Sequence, residues 1–406
     1  MLTRPLLRGL LLTLVGLAVL AFATTVQAPG VAADQPKIGE GSCLGVDACT
    51  GNSGDVGDNS CTGDSACKDN TGDIGDNSCI GFRPGDFTCM GSSGDVGDNS
   101  CIARKACTGN SGDVGDNSCN GVGACSHNSG DVGDNSCYGQ IACSGNSGDV
   151  GDNSCIATAL GACDANSGEV GNGSCSGPPP FFTHPCSENT GTVGDNSCIG
   201  GRPCMGNSGW IGDGSCQGTN DACYLNSGRV GDNSCDGYTA CRGNSGDVGD
   251  KSCNHLSACR DNRGEVGDNS CNVAFDAGGA YACESNSATV GDKSCNGQSS
   301  CAFNRVDVGD KSCNGFQACV VNTGGMGKHS CNGYRACEGN RGDVDAGSCN
   351  GLLACLHNGG NVGHHSCNGE EACMNNTGII GDNICNGLQA CKDNTVDMPN
   401  KHDEKD

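Results

Sequence analysis

Residues 101–136 read CIARKACTGNSGDVGDNS followed by CNGVGACSHNSGDVGDNS. Two cysteines six apart, Ala before the second, and the segment N-S-G-D-V-G-D-N-S all return after 18 residues. The same frame extends in both directions, from Cys43 to Cys391, as 19 units that together use all 38 cysteines. Self-similarity at a short fixed period marks a stacked array in which each unit contacts mainly its neighbours.

Where the period varies is informative. From each second Cys to the next first Cys the count is always 12. From first to second Cys it is usually 6, but 10 at Cys79/Cys89, 8 at Cys155/Cys163, 11 at Cys175/Cys186, 7 at Cys216/Cys223 and 12 at Cys271/Cys283. Insertions thus enter one side only. The invariant side must stack in register, and the variable side reads as a loop free to bulge.

Pairing inside each unit uses every thiol, whereas pairing across the invariant segment would orphan Cys43 and Cys391; sequence alone leaves connectivity open. The pairs expected within units are Cys43–Cys49, Cys61–Cys67, Cys79–Cys89, Cys101–Cys107, Cys119–Cys125, Cys137–Cys143, Cys155–Cys163, Cys175–Cys186, Cys198–Cys204 and Cys216–Cys223. The series continues with Cys235–Cys241, Cys253–Cys259, Cys271–Cys283, Cys295–Cys301, Cys313–Cys319, Cys331–Cys337, Cys349–Cys355, Cys367–Cys373 and Cys385–Cys391. Each short clip contributes roughly 2 kcal/mol by chain entropy. Such clips would stand in for a hydrophobic core that this composition, with aromatics at 3%, does not supply.

Within the invariant segment an aliphatic column (Val56, Ile74, Val96, Val114) and an Asn column (Asn52, Asn70, Asn110, Asn128, broken by Ser92) recur. Gly, Asn, Asp and Ser dominate every window, which argues against helix. The expected fold is therefore all-β: a disulfide-clipped β-solenoid of about 19 coils, mostly 18 residues each, with short strands and Gly/Asn/Asp turns. Stacking at 4.7–4.9 Å per coil would make it roughly 90 Å long.

The expected organisation places a secretory signal peptide over 1–33, with an N-terminal cap at 34–42, the repeat at 43–391 and a polar acidic tail at 392–406. Arg4 and Arg8 precede the apolar run Gly9–Phe22, with cleavage after Ala23 or Ala33. Secretion to an extracellular or periplasmic setting, where disulfides persist, follows from that address. No mature segment reaches membrane-spanning length. The degenerate ends predict a monomer.

A formal net charge of −25 excludes a nucleic-acid partner, because phosphate binding needs clustered Lys and Arg. No catalytic constellation stands outside the repeat, so no enzyme is expected and no cofactor is required. The chemistry-bearing feature is an Asp-x-x-Asp ladder: Asp55/Asp58, Asp73/Asp76, Asp95/Asp98, Asp113/Asp116, Asp131/Asp134 and Asp149/Asp152. Carboxylates stacked one coil apart either cap turns and stay solvated, or take up calcium, which prefers oxygen ligands. G-D-V-G-D-N-S resembles the nonapeptides of calcium-binding RTX β-rolls, although that family uses two nonapeptides per coil and lacks this Cys framework. The C-x5-C unit resembles the disulfide-clipped beetle antifreeze proteins, without their Thr-x-Thr rows. The resemblances imply calcium binding and, behind it, ice binding as alternatives to the leading expectation. That expectation is a secreted structural or interaction protein, a stiff acidic element at a cell surface or in extracellular matrix with an unidentified partner. Phe181 and Phe182, in the insertion Gly177–Pro185, are the aromatics placed to contact such a partner.

Overall fold

The computed structural model describes residues 35–157, 160–177, 184–218, 220–273 and 281–400. The chain divides into Met1–Gln35 and Pro36–Asp406. The second unit is a stack of 19 coils, numbered from the first Cys of each repeat, so that coil 9 starts at Cys198 and coil 10 at Cys216.

The all-β solenoid expected from the period is not what forms. Among the described residues there is no helix and no sheet, and the β-structure consists of isolated single-residue parallel bridges. The aliphatic column supplies most of them, from Ile38↔Val56 to Ile380↔Met398. The physical reason lies in the backbone. In coil 2, Cys61, Ser65, Cys67, Asp69 and Asn77 all take φ between 53° and 56°. A left-handed residue reverses the chain locally, so no run of extended residues survives long enough to become a strand. The first Cys has φ near 57° in every coil, as at Cys119 (56°) and Cys367 (57°). The position two residues before it is Asn in most coils, and Gly173, Gly214 or Gly347 in others, all at positive φ.

Coils are joined by backbone bonds that repeat from layer to layer. Gly57 N donates to Ile74 O at 2.7 Å, Cys61 N to Ser78 O at 2.9 Å, and Asn77 N to Asp58 O at 2.8 Å. At Gly57, the glycine after the aliphatic residue, the next coil approaches too closely for a side chain in this backbone geometry. A Cβ on Gly57 would lie 2.7 Å from both the amide nitrogen of Asp76 and the carbonyl carbon of Gly75.

The interior is one column deep. Both cysteines, the Ala before the second, and the aliphatic residue are buried in nearly every coil. All 19 disulfides close within a coil, with Cα–Cα distances such as 5.5 Å at Cys61–Cys67 and 5.6 Å at Cys119–Cys125. None links one coil to another.

Two polar columns complete the interior, each hydrogen-bonded from coil to coil as buried polar groups must be, with a break after Asn304, whose Oδ1 has no partner. Asn128 Nδ2 donates to Asn110 Oδ1 (2.8 Å) and to Gly130 O (2.6 Å). Ser78 Oγ donates to Gly97 O (2.7 Å) and accepts from Ser100 N (3.0 Å). Where Ser92 replaces Asn, the chain of amides breaks and Asn70 Oδ1 is left without a partner.

One bond changes direction along the stack. In coils 1–8 the second Cys donates forward, as Cys49 N to Ala66 O (2.9 Å) and Cys186 N to Pro203 O (3.1 Å). From coil 11 onward it donates backward, as Cys241 N to Ala222 O (2.7 Å) and Cys391 N to Ala372 O (2.6 Å). The second Cys is left-handed through Cys204 (56°), and from Cys223 on it is not. The peptide before the second Cys is thus inverted between the two blocks of the stack.

Candidate functional site

The twelve ladder aspartates fall into two columns on the face carrying the aliphatic bridges. The first column holds Asp55, Asp73, Asp95, Asp113, Asp131 and Asp149; the second holds Asp58, Asp76, Asp98, Asp116, Asp134 and Asp152. Within each column the carboxylate accepts from the backbone of the coil before it. Asp55 N donates to Asp73 Oδ1 (2.8 Å), Asp73 N to Asp95 Oδ1 (2.8 Å) and Asp113 N to Asp131 Oδ1 (3.0 Å). In the second column, Asp58 N donates to Asp76 Oδ1 (2.7 Å) and Asp134 N to Asp152 Oδ1 (2.9 Å).

One oxygen of each such carboxylate therefore has a structural task. It satisfies an amide that the bridge on the aliphatic residue leaves over, since an isolated bridge pairs only its immediate neighbours. Asn performs the same task where it replaces Asp: Asp152 N donates to Asn172 Oδ1 (2.8 Å) and Asp343 N to Asn361 Oδ1 (3.0 Å). A carbonyl-type oxygen is what the stack needs, and the charge is additional to that need. The sequence carried this signal in its Asp-to-Asn exchanges, which a search for charge alone passes over.

Between the columns runs a groove of about 790 Å³ along coils 4–9. Asp113, Asp131 and Asp149 form one wall, Asp134, Asp152 and Asp195 the other, and the backbone of Val132–Gly133 and its equivalents the floor. A smaller groove of about 370 Å³ continues the face beyond coil 10, lined by Asp247, Asp250, Asp268 and Asp292 and bounded by Arg229. At coils 9 and 10 the first column is interrupted by Trp210 and Arg229, whose guanidinium lies 4.6 Å from the ring centroid.

Further along, the acidic character is offset. Lys328 takes the second-column position and its Nζ lies 2.7 Å from Asp310 Oδ2, which holds the Asp310 carboxyl below the usual carboxylate range. His364 takes the same position two coils on, 3.9 Å from Asp345 Oδ2. Lys251, Lys293 and Lys311 follow the second column in the left-handed position that Asn usually fills, at φ 55°, 56° and 56°. A separate acidic group that sequence reading missed is Asp236, beside the first Cys of coil 11. Burial pushes its pKa up to about 6, against the opposing hydrogen bond that Gln217 N donates to its Oδ1. Its signal was the column it shares with Asn254 and Asn272, where the charge has no counterpart.

Clusters of three sulfurs within ligand distance, such as Cys107, Cys119 and Cys125, are closed as disulfides and offer no thiolate. Phe181 and Phe182 lie outside the described residues.

The fold and its columns define a structural repeat protein built from disulfide-clipped coils. The chain belongs to the family described as Domain of unknown function (DUF7640), whose model matches residues 24–102, 82–180, 182–277 and 317–401. The overlapping matches fit a repeat whose family unit spans several coils. No curated protein and no solved structure matches the chain. Among the described residues no helix is long and apolar enough to cross a membrane. Disulfides at this density are consistent with an extracellular protein.

Proposed function

We propose that this is a secreted, non-catalytic structural and interaction protein, a stiff acidic repeat element at a cell surface or in an extracellular matrix. The observation that carries this reading is the closure of every coil by its own disulfide, buried in all but the end coils, around an interior only one aliphatic residue wide. Such a scaffold offers few sites for a protease to thread and little slack for heat to exploit. Oxidised protein should resist protease and boiling, and full reduction should abolish both properties. Unchanged resistance after reduction would overturn the reading.

A second reading is favoured by the groove between the acidic columns. Each ladder carboxylate spends one oxygen on the neighbouring amide, and the other oxygens along both walls offer a hard, regularly spaced set that suits calcium. Calorimetric titration of calcium into the oxidised, metal-free protein separates the two. Several saturable sites in proportion to intact Asp-x-x-Asp coils would make the groove a calcium array. Weak heat that vanishes with added salt would leave the ladder as capping and solubility.

A further inference from the structure

The inversion of the peptide before the second Cys has a local consequence at the boundary between blocks. Pro203 O accepts from Cys186 N of coil 8, so that carbonyl points back along the stack. In a trans peptide the N–H points opposite to the C=O, so the amide of Cys204 points forward, toward coil 10. Ala222 O accepts from Cys241 N of coil 11, so by the same geometry the amide of Cys223 points back, toward coil 9. The two amides face each other across one interface, donor against donor. Both residues are fully buried. Neither makes the forward or the backward bond that the second Cys makes in the other coils.

The same interface carries two side-chain contacts that the repeat itself does not supply. Arg202, two residues before Cys204, meets Asp221, two residues before Cys223, with Nε 3.1 Å from Oδ1 and Nη2 donating to Oδ2 at 3.2 Å. On the groove face, Trp210 of coil 9 stacks under Arg229 of coil 10. Both join coil 9 to coil 10, one on the loop side and one on the bridge side. The Val, Asn and Ser columns continue across the boundary, as Gly212 N to Val230 O (2.8 Å) and Asn226 Nδ2 to Asn207 Oδ1 (2.9 Å) show.

We infer that the coil 9–coil 10 interface is a built-in joint: the place where the loop edge of the stack opens first at the two opposed amides, held shut by the Arg202–Asp221 and Trp210–Arg229 clamps together with the backbone bonds that Gly218 N makes to Ile199 O (3.1 Å) and Asp221 N to Gly201 O (3.1 Å). Because every disulfide closes within one coil, the joint opens without breaking a covalent bond, and both blocks stay clipped on either side. The joint divides the stack into two cooperative blocks of opposite peptide polarity. A load or a denaturant would part them there before unravelling either one.

Hydrogen–deuterium exchange of the oxidised full-length chain, quenched and then reduced for peptide analysis, tests this. The amides of Cys204 and Cys223 should exchange at least about tenfold faster than those of Cys125 and Cys319, which occupy the same position inside each block. Protection equal to Cys125 and Cys319 would overturn the joint, and would mean that an acceptor held between the two amides satisfies both. In the double variant Asp221→Asn and Arg229→Ala, exchange should accelerate across residues 199–205 and 217–224 while Cys125 and Cys319 keep their rates. Unchanged exchange at the boundary in that variant would also overturn the proposal. Arg202→Lys, which keeps the charge but loses the Nη2 hydrogen bond to Asp221 Oδ2, should fall between the two.

Discussion

Coils 1–9 and coils 10–19 are built from one repeat, yet they solve the same packing problem differently. Both blocks keep the clip, the aliphatic bridge, the Asn column and the Ser column. They differ at the second Cys, which is left-handed through Cys204 and bonds forward in coils 1–8, and which bonds backward without the left-handed φ from coil 11 onward. They differ again beside the first Cys. There the second block carries a continuous row, in which Asn254 N donates to Asn272 Oδ1 (2.9 Å) and Asn332 N to Asn350 Oδ1 (3.1 Å). The first block has Leu44, Thr62, Ile80 and Tyr138 at that position, and one Asn, Asn120, which accepts from Ile102 N (3.0 Å). As that neutral row appears, the first acidic column is diluted by Thr289, Gly325, Asn361 and Ile379, which stand among Asp307, Asp343 and Asp397. The comparison teaches that the stack demands hydrogen-bonding oxygens at set positions, and tolerates wide variation in the charge they carry.

The largest test of that comparison removes a clip from each block. Replacing both cysteines by Ser at Cys119–Cys125 or at Cys313–Cys319 should cost about 2–3 kcal/mol each. The first block should loosen more, because Cys125 holds a left-handed backbone that its clip helps to maintain while Cys319 does not. Local exchange rates around the two sites would show this, and equal loosening would remove the difference in strain between the blocks.

Next come the buried amides. Asn128→Ala in the first block and Asn340→Ala in the second each delete three side-chain bonds, two donated and one accepted, and orphan buried carbonyl oxygens. Each should cost about 2–4 kcal/mol, to the same extent in both blocks. The reverse change, Ser92→Asn, would give Asn70 Oδ1 a donor and should stabilise by about 1 kcal/mol in thermal denaturation.

Asp236, at the start of the second block, gives a smaller and pH-dependent effect. Its folded pKa of about 6 lies above its ordinary value of 3.8, so the folded state binds the proton more tightly than the unfolded chain does. Stability from this group is greatest below pH 3.8 and is lost as pH rises to about 6. Asp236→Asn should remove that slope and stabilise the protein at pH 7 by on the order of 1–2 kcal/mol, after allowance for solvent screening. Denaturant midpoints at pH 4 and pH 7 check it, and an unchanged slope would refute it.

The smallest effect separates oxygen from charge in the ladder. Asp134→Asn should leave thermal stability within about 0.5 kcal/mol, since Asn172 makes the same bond in its own coil, whereas Asp134→Ala should cost about 1 kcal/mol. If Asn costs as much as Ala, the charge itself holds the column.

Much of this was legible in the residues. The fixed 12-residue interval marked the side that stacks, and the buried aliphatic and Asn columns occupy that side. The fold class was misread because alternation of small, aliphatic and polar residues looks like short strands, while the sign of φ leaves little trace in residue type. Gly and Asn hint at positive φ, but Cys, Ser, Lys and Phe adopt it here as well, as at Cys61, Ser65, Lys105 and Phe303. The acidic columns were visible, but their bonds to the neighbouring amides were not, because those bonds exist only once coils are stacked.

By itself the sequence determined a repeat, its period, the face on which length may vary, and the need for cross-links in place of a core. These follow from spacing and composition, which any fold of the chain must respect. Only the tertiary structure decided that the coils are built of turns without strands, that one oxygen of each ladder carboxylate serves the coil before it, and that peptide polarity inverts between Cys204 and Cys223. Those are properties of backbone orientation. Two nearly identical repeats can point the same amide in opposite directions, and which way it points is settled by the coil above and the coil below.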